Sequence, residues 1–256
     1  MHSQISTALL RELLPPTVSP AVFDSLPSTN TYLRELTSSG ASEFTLVIAA
    51  SQTNGRGRFG RDFFSPPDTG IYFSILLRPA PEEDTVAFIT VAAALASAEA
   101  CEAVFSVPTE IKWVNDVLVN GQKTVGILAE AFIEGEFFVI LGIGANIAPP
   151  SGGFPPELDG AGAFTDCAST GSRERFVAET VTRLLGYLES TARLSLISAY
   201  RTRVHMTGKS VTVTRGSEQF SATVVGIDDN AHLIVRHPDG CEEHLSYGEV
   251  TLHNEN

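Results

Sequence analysis

Apolar positions along the chain recur with two periods, and the switches between them mark out its elements. Residues 5–14 read as a short helix that Pro15 and Pro16 end, since proline has no amide proton and clashes with the preceding turn. Residues 21–26 read as a short strand. Ser28 or Thr29 stands where a helix N-cap belongs, Tyr32, Leu33 and Leu36 follow at helical spacing, and Gly40 is the stop. Thr45–Ala50 is a compact apolar run, the mark of a buried strand. Residues 51–69 are polar, rich in Gly and Arg, and contain two prolines, so they form a loop. Gly70–Leu77 reads as a strand and Asp84–Glu102 as a long Ala-rich helix.

A meander follows. Glu110–Trp113, Val117–Val119, Lys123–Ile133 and Phe137–Ile147 are strand-like. Asn120-Gly121 predicts a tight hairpin, because both residues accept positive φ, and Glu134-Gly135 a second turn. Residues 148–172 form a long Pro- and Gly-rich loop, and 173–190 and 193–204 are helical by their apolar spacing. From about residue 205 the period returns to two, in VTVTR, FSATVVGI, HLIVRH, EEHLSY and EVTLH. Five short strands in so few residues predict a small antiparallel β-barrel or sandwich, with a domain boundary near residue 205.

Composition narrows the class. The chain has 256 residues, 43% of them hydrophobic, enough for one large domain with a small one. The net charge of −13 argues against a duplex nucleic-acid partner, which needs a clustered positive face. Cys101, Cys167 and Cys241 are too far apart for a zinc site, and three sparse cysteines make no disulfide framework, so a reduced, cytoplasmic setting is expected. The start, MHSQISTALLRELLPP, has no basic region, and Arg11 and Glu12 interrupt its apolar stretch, unlike a signal peptide. The longest apolar run, VAFITVAAALASAEA, already holds Glu99 and reads as a buried helix, so no membrane partner is expected. The six histidines are scattered without an H-x-x-x-H pair, and no metal-ligand set is expected.

Two segments carry candidate chemistry. QTNGRGRFGRDFFSPP crowds Arg56, Arg58 and Arg61 among Gly55, Gly57 and Gly60. Three guanidiniums so close repel one another, and their forks suit carboxylate or phosphate. The stretch also satisfies G-x-G-x-x-G, but Pro66 and Pro67 follow where the dinucleotide fingerprint needs a helix, so that reading fails. No P-loop motif occurs. The second segment is Ile111-Lys112-Trp113-Val114-Asn115-Asp116. A lysine between an apolar residue and the single tryptophan is partly desolvated, which strengthens its action on an anion. Taken in isolation, Lys112–Asp116 is better read as a snorkelling lysine beside an Asn-Asp turn, and Lys123 alone means nothing.

Together the segments resemble the biotin–protein ligase family, in the form without an N-terminal DNA-binding domain. The shared pattern is Gly55–Arg61 with Phe63-Phe64-Ser65-Pro66, then Lys112–Asp116, then Lys123 with Gly126-Ile127-Leu128, then Gly142-Ile143-Gly144-Ala145-Asn146, beside Ser28-Thr29-Asn30 and Gln52. The resemblance covers roughly residues 22–255. Val114 stands where the family has proline, which loosens that turn, and Phe63 where it often has tryptophan.

The resemblance implies an α/β (α+β) fold of the class II aminoacyl-tRNA synthetase/biotin ligase kind. Its mixed, mostly antiparallel sheet is flanked by helices over residues 1–204, with the barrel over 205–256. It implies adenylation of biotin by ATP with Mg²⁺, then transfer to a lysine of a biotin carboxyl carrier domain. Ser28, Thr29, Asn30 and Gln52 would meet the ureido ring. Gly55, Arg56, Gly57 and Arg58 would close over biotin and the α-phosphate, and Lys112 would contact the biotin carboxylate and the phosphate. Arg58, Arg61, Phe63, Asn115, Lys123 and Asn146 would serve the nucleotide, with Lys112 and Arg58 as the catalytic pair. A homodimer is compatible with this picture. A lipoate–protein ligase shares the adenylation logic but lacks the paired arginine motif and the barrel. A DNA-binding repressor is disfavoured, because about twenty residues precede the first strand and cannot hold a three-helix unit. A catalytically dead biotin-binding module is disfavoured by the presence of both lysines and all three arginines.

Overall fold

The structure, a computed structural model, describes residues 5–252 except 83 and 191. Among the described residues there are five α-helices, and twelve strands form two sheets. The first sheet takes β1 (Ser19–Phe23), β2 (Thr45–Ala49), β3 (Gly70–Leu77), β4 (Glu110–Lys112), β5 (Asp116–Val119), β6 (Gln122–Glu134) and β7 (Glu136–Asn146) in the order β1-β2-β3-β7-β6-β5-β4. Only β1 and β2 pair in parallel, so the sheet is mixed and mostly antiparallel as expected.

Each face of this sheet has its own cover. Side chains alternate along a strand, so Ile71, Phe73, Ile75 and Leu77 share one face with Leu141, Ile143 and Ala145 of β7. Against that face pack α3 (Thr85–Phe105) and α4 (Ser172–Glu189), which also pack on each other. The opposite face carries Val47, Ala49, Leu76, Phe138 and Ile140, covered by Leu33 and the rest of α2 (Thr29–Ser38). Ser28 is the α2 N-cap, its hydroxyl accepting from the Thr31 amide at 3.4 Å. Beyond the reach of α2 the same face continues as Gly126, Leu128 and Glu130 of β6 beside Gly142 and Gly144 of β7. Small residues there leave a depression instead of a packed layer.

Helix α3 is longer than the apolar run it was read from. At 21 residues and a mean hydropathy of 1.6 it is long and apolar enough to cross a membrane, yet its length from Ile89 to Cys101 is buried in the core. Glu99 is accommodated by the Tyr187 hydroxyl, which donates to it at 2.5 Å. The N-terminal helix α1 (Thr7–Leu13) packs on α4 and β1, and α5 (Arg193–Arg203) leads into the second sheet.

That sheet takes β8 (Ser210–Arg215), β9 (Glu218–Ile227), β10 (Leu233–Arg236), β11 (Glu242–Leu245) and β12 (Glu249–Leu252) in the order β11-β10-β9-β8-β12. The five expected strands are all present and antiparallel. The barrel is not: among the described residues β11 and β12 are unpaired edges, so the sheet stays open. Its inner residues Val211, Val213, Val224, Leu233, Val235 and Val250 join the main core.

The turn between β9 and β10 fastens the second sheet to the first. Trp113 Nε1 donates to Ala231 O at 2.9 Å, Arg201 Nε to Ile227 O at 2.6 Å, and His232 Nε2 lies 3.7 Å from Asp84.

Candidate active site

The depression on the α2 face opens into a groove of about 900 Å³. The N-terminus of α2 supplies Ser28, Thr29 and Asn30. The arginine segment supplies Arg56, Gly57, Arg58, Arg61 and Phe63, and Gln52 lines the groove just before it. The β4–β5 turn supplies Lys112, Asn115 and Asp116, and β6 supplies Lys123 and Gly126. The second sheet closes the end with Gly248, Glu249 and Val250.

Residues 51–69, expected as a loop, contain a small hairpin. Gly57 N donates to Arg61 O at 2.7 Å and Phe63 N to Gly55 O at 2.9 Å. A single 3-10 turn, Arg58–Gly60, forms the tip, with Phe59 in the left-handed region at φ 56. The hairpin therefore presents its arginines into one groove.

Five cations line that groove, and their partners differ in kind. Arg56 pairs with Glu130 at 2.8 Å, Arg61 with Glu249 at 2.5 Å, and Lys123 with Asp116 at 2.7 Å. Arg58 instead donates to Asn115 Oδ1 at 2.9 Å and to the Gly248 carbonyl at 3.2 Å. Among the described residues Arg58 and Lys112 have no carboxylate partner within ion-pair distance. Burial pushes the Arg58 guanidinium below its usual pKa, against the pull of Asp116 and Glu249, but a guanidinium stays charged at neutral pH. Two cations without an ion-pair partner thus line one concave site.

Phe63 lies across the strands. A methyl on Gly126 would stand 2.6 Å from its ring, and one on Gly144 2.5 Å. Gly126 and Gly144 are register partners in β6 and β7, so together they form a flat bed for the ring. Lys123 Nζ lies 6.0 Å from the ring centroid.

The polar wall is connected internally. Thr29 donates to Gln52 Oε1 from its amide at 2.8 Å and its hydroxyl at 3.2 Å, and Gln52 Nε2 donates to Ser65 Oγ at 3.0 Å. Ser74 Oγ is within 2.6 Å of Asn30 Oδ1 and 2.7 Å of Thr29 Oγ1.

Two expected site residues are elsewhere. Asn146, at the end of β7, is buried and donates to Gly162 O at 3.0 Å, holding the 148–172 loop and not lining the groove. Gly55 is buried in the hairpin stem, behind the groove wall. Gly248 and Glu249 belong to a GEV segment that the family resemblance includes, but the sequence assigned them no place in the site, and it missed Ser74, an unremarkable serine in an apolar strand. Val114 is buried, its carbonyl accepts from the Tyr200 hydroxyl at 3.1 Å, and the Trp113–Val114 peptide is cis.

Comparison with known proteins agrees with this architecture. The Biotin/lipoate A/B protein ligase family matches residues 22–146, and the Biotin protein ligase C terminal domain matches residues 207–252. The chain is 33% identical to the bifunctional ligase/repressor BirA of Bacillus spizizenii, over 86% of this chain and 70% of that protein. It is 30% identical to the biotin–[acetyl-CoA-carboxylase] ligase of Paracoccus denitrificans, over 78% of this chain and 88% of the relative. The corresponding ligase of Mycobacterium tuberculosis is 32% identical, over 80% and 79%. A solved biotin protein ligase from Aquifex aeolicus, in complex with biotin and ATP, superposes with a TM-score of 0.80 at 24% identity, over 93% of this chain and 99% of that one, and so shares the fold. With both parts matched in order and relatives covered over most of their length, the chain belongs to the biotin protein ligase branch of the biotin/lipoate protein ligase family.

Proposed function

We propose that this chain adenylates biotin with ATP and transfers the biotinyl group to a lysine of a biotin carboxyl carrier domain. The observation that carries this reading is the pair of cations without carboxylate partners, Arg58 and Lys112, brought from distant segments to one groove. In the first step a biotin carboxylate oxygen attacks the α-phosphorus, the bond to the bridging oxygen breaks, and pyrophosphate leaves. In the second the lysine amine attacks the mixed anhydride carbonyl, an amide forms, AMP leaves, and one proton is lost. Neither step needs a covalent bond to the protein. The protein must hold two anions together and stabilise charge that grows in the transition state, which is work for fixed cations.

On this reading Ser28, Thr29, Asn30 and Gln52 shape the ureido end, and Arg56 to Arg58 close over the carboxylate and α-phosphate. Arg61, Phe63, Asn115 and Lys123 serve the nucleotide, whose base has an aromatic face to meet at Phe63. Residues 1–204 form the catalytic unit and 205–256 a C-terminal unit that completes the groove. Among the described residues no cluster of three metal-ligating side chains exists. Asp116 and Glu249 in the groove already neutralise Lys123 and Arg61. On this reading Mg²⁺ would arrive with the nucleotide. So bound, the ion disperses phosphate charge.

The competing substrate is lipoate, and the competing role is DNA binding. Pyrophosphate exchange driven by biotin and not by lipoate, followed by labelling of a carrier domain, is the expected outcome. Exchange driven by lipoate and not by biotin would overturn the reading, whereas a salt-sensitive, sequence-specific gel shift would overturn only the expectation that the chain does not bind DNA.

A further inference from the structure

Glu130 lies in β6 two residues beyond Leu128, on the groove face of the sheet. It does not line the groove, yet its carboxylate joins two parts of it. Oε1 accepts from Arg56 at 2.8 Å, and Oε2 accepts from Asn30 Nδ2 at 2.9 Å. An ionised carboxylate only accepts, so it fixes which way the Asn30 amide faces. The Asn30 oxygen is thereby turned to Ser74 Oγ, 2.6 Å away, in the space that Gly142 leaves: a methyl on Gly142 would stand 2.1 Å from that oxygen.

The chain of contacts continues from Ser74 through Thr29 and Gln52 to Ser65, whose hydroxyl donates to Phe63 O at 2.8 Å. It therefore begins on the first arginine of the hairpin and ends on the opposite stem. Both stems of one hairpin are tied to one polar wall.

We propose that Glu130 is a positioning residue that couples the biotin wall to closure of the arginine hairpin. The inference rests on the biotin ligase reading. A ligand that tightens Thr29 and Gln52 holds the Ser65 stem, and the Asn30–Glu130 link holds Arg56 at the same time. Buried polar networks of this kind act as units, because each member fixes the orientation of the next.

Glu130→Gln preserves shape but places a donor against Arg56 or against Asn30 Nδ2. The test measures KM for biotin and for ATP in pyrophosphate exchange. It also measures biotin-dependent protection of the hairpin from trypsin, and the thermal midpoint, with Ser74→Ala as a second break in the same network. We expect Glu130→Gln to raise KM for biotin roughly tenfold, the size of one lost charge-assisted hydrogen bond. KM for ATP and the midpoint stay near native, and biotin no longer protects the hairpin. Ser74→Ala moves the same two readouts. An unchanged biotin KM with protection retained overturns the inference, as does an equal rise in both KM values with a lowered midpoint. If the native chain itself shows no biotin-dependent exchange, the ligase reading falls, and this inference with it; if the native chain is active and Glu130→Gln matches it, only this inference falls.

Discussion

At the scale of single residues, the site works by what is left unfilled and unpaired. Gly126 and Gly144 matter for the side chains they lack, since Phe63 occupies that space. Gly144→Ala would push a methyl into the ring, and overpacking of this kind costs about 1–3 kcal/mol. Urea unfolding should show that loss, and KM for ATP should rise while KM for biotin does not; an unchanged ATP KM would separate Phe63 from the nucleotide. The aromatic residue was legible in the sequence, as were Arg58 and Lys112, because their motifs together carry the family resemblance. The glycine bed was not, because only the β6–β7 register brings positions 126 and 144 together. Asn146 shows the converse: its motif suggested a ligand role, while in the structure it lies outside the groove lining and its Nδ2 donates to the Gly162 carbonyl.

At the scale of elements, the arginine hairpin is the part expected to move when ligands bind. Apart from Phe63 and Ser65 its contacts to the body are ionic and polar, through Arg56, Arg58 and Arg61, and its tip residue Phe59 is exposed. Ion pairs at exposed positions contribute little to stability, so a ligand can exchange with them. Trypsin should cleave the free chain within residues 56–61 and be slowed by biotin with ATP; equal cleavage with and without ligands would count against closure. The β4–β5 turn is the opposite case. Trp113 is buried with its ring nitrogen bonded to Ala231 O, immediately beside Lys112. Trp113→Phe leaves that buried carbonyl without its donor and should cost about 1–3 kcal/mol in unfolding free energy. Most elements were readable from apolar period and turn residues, including the Asn120-Gly121 hairpin. The helix α3 was read over Asp84–Glu102 and runs on to Phe105, so only its last three residues went unread; Glu99 within it is accommodated by a distant tyrosine hydroxyl.

At the scale of the whole molecule, the second sheet completes the groove. It lends Gly248 to Arg58 and Glu249 to Arg61, and its β9–β10 turn grips Trp113. Five strands and their alternation were legible, but closure was not: whether β11 meets β12 depends on register and curvature, which strand composition does not encode. Asp228 organises the gripping turn. Burial alone would raise its carboxyl, but hydrogen bonds from His244 and from the His232 and Asn230 amides, with the His232 charge, hold it below the usual carboxylate range. His232 in turn faces Asp84 on the first unit. A folded pKa below the unfolded one stabilises at neutral pH, and that contribution is lost as pH falls through the folded value. Asp228→Asn should therefore flatten the fall of unfolding free energy with pH below about 4, the ordinary aspartate range.

Convergence of Arg58 and Lys112 on one reacting centre is tested most directly by biotin-dependent pyrophosphate exchange with the native chain, Arg58→Ala and Lys112→Ala. The native chain should exchange. Each variant should lose on the order of a hundredfold or more in rate, as when a single transition-state donor is removed, with an unfolding midpoint close to native. Near-native exchange in either variant would contradict the account.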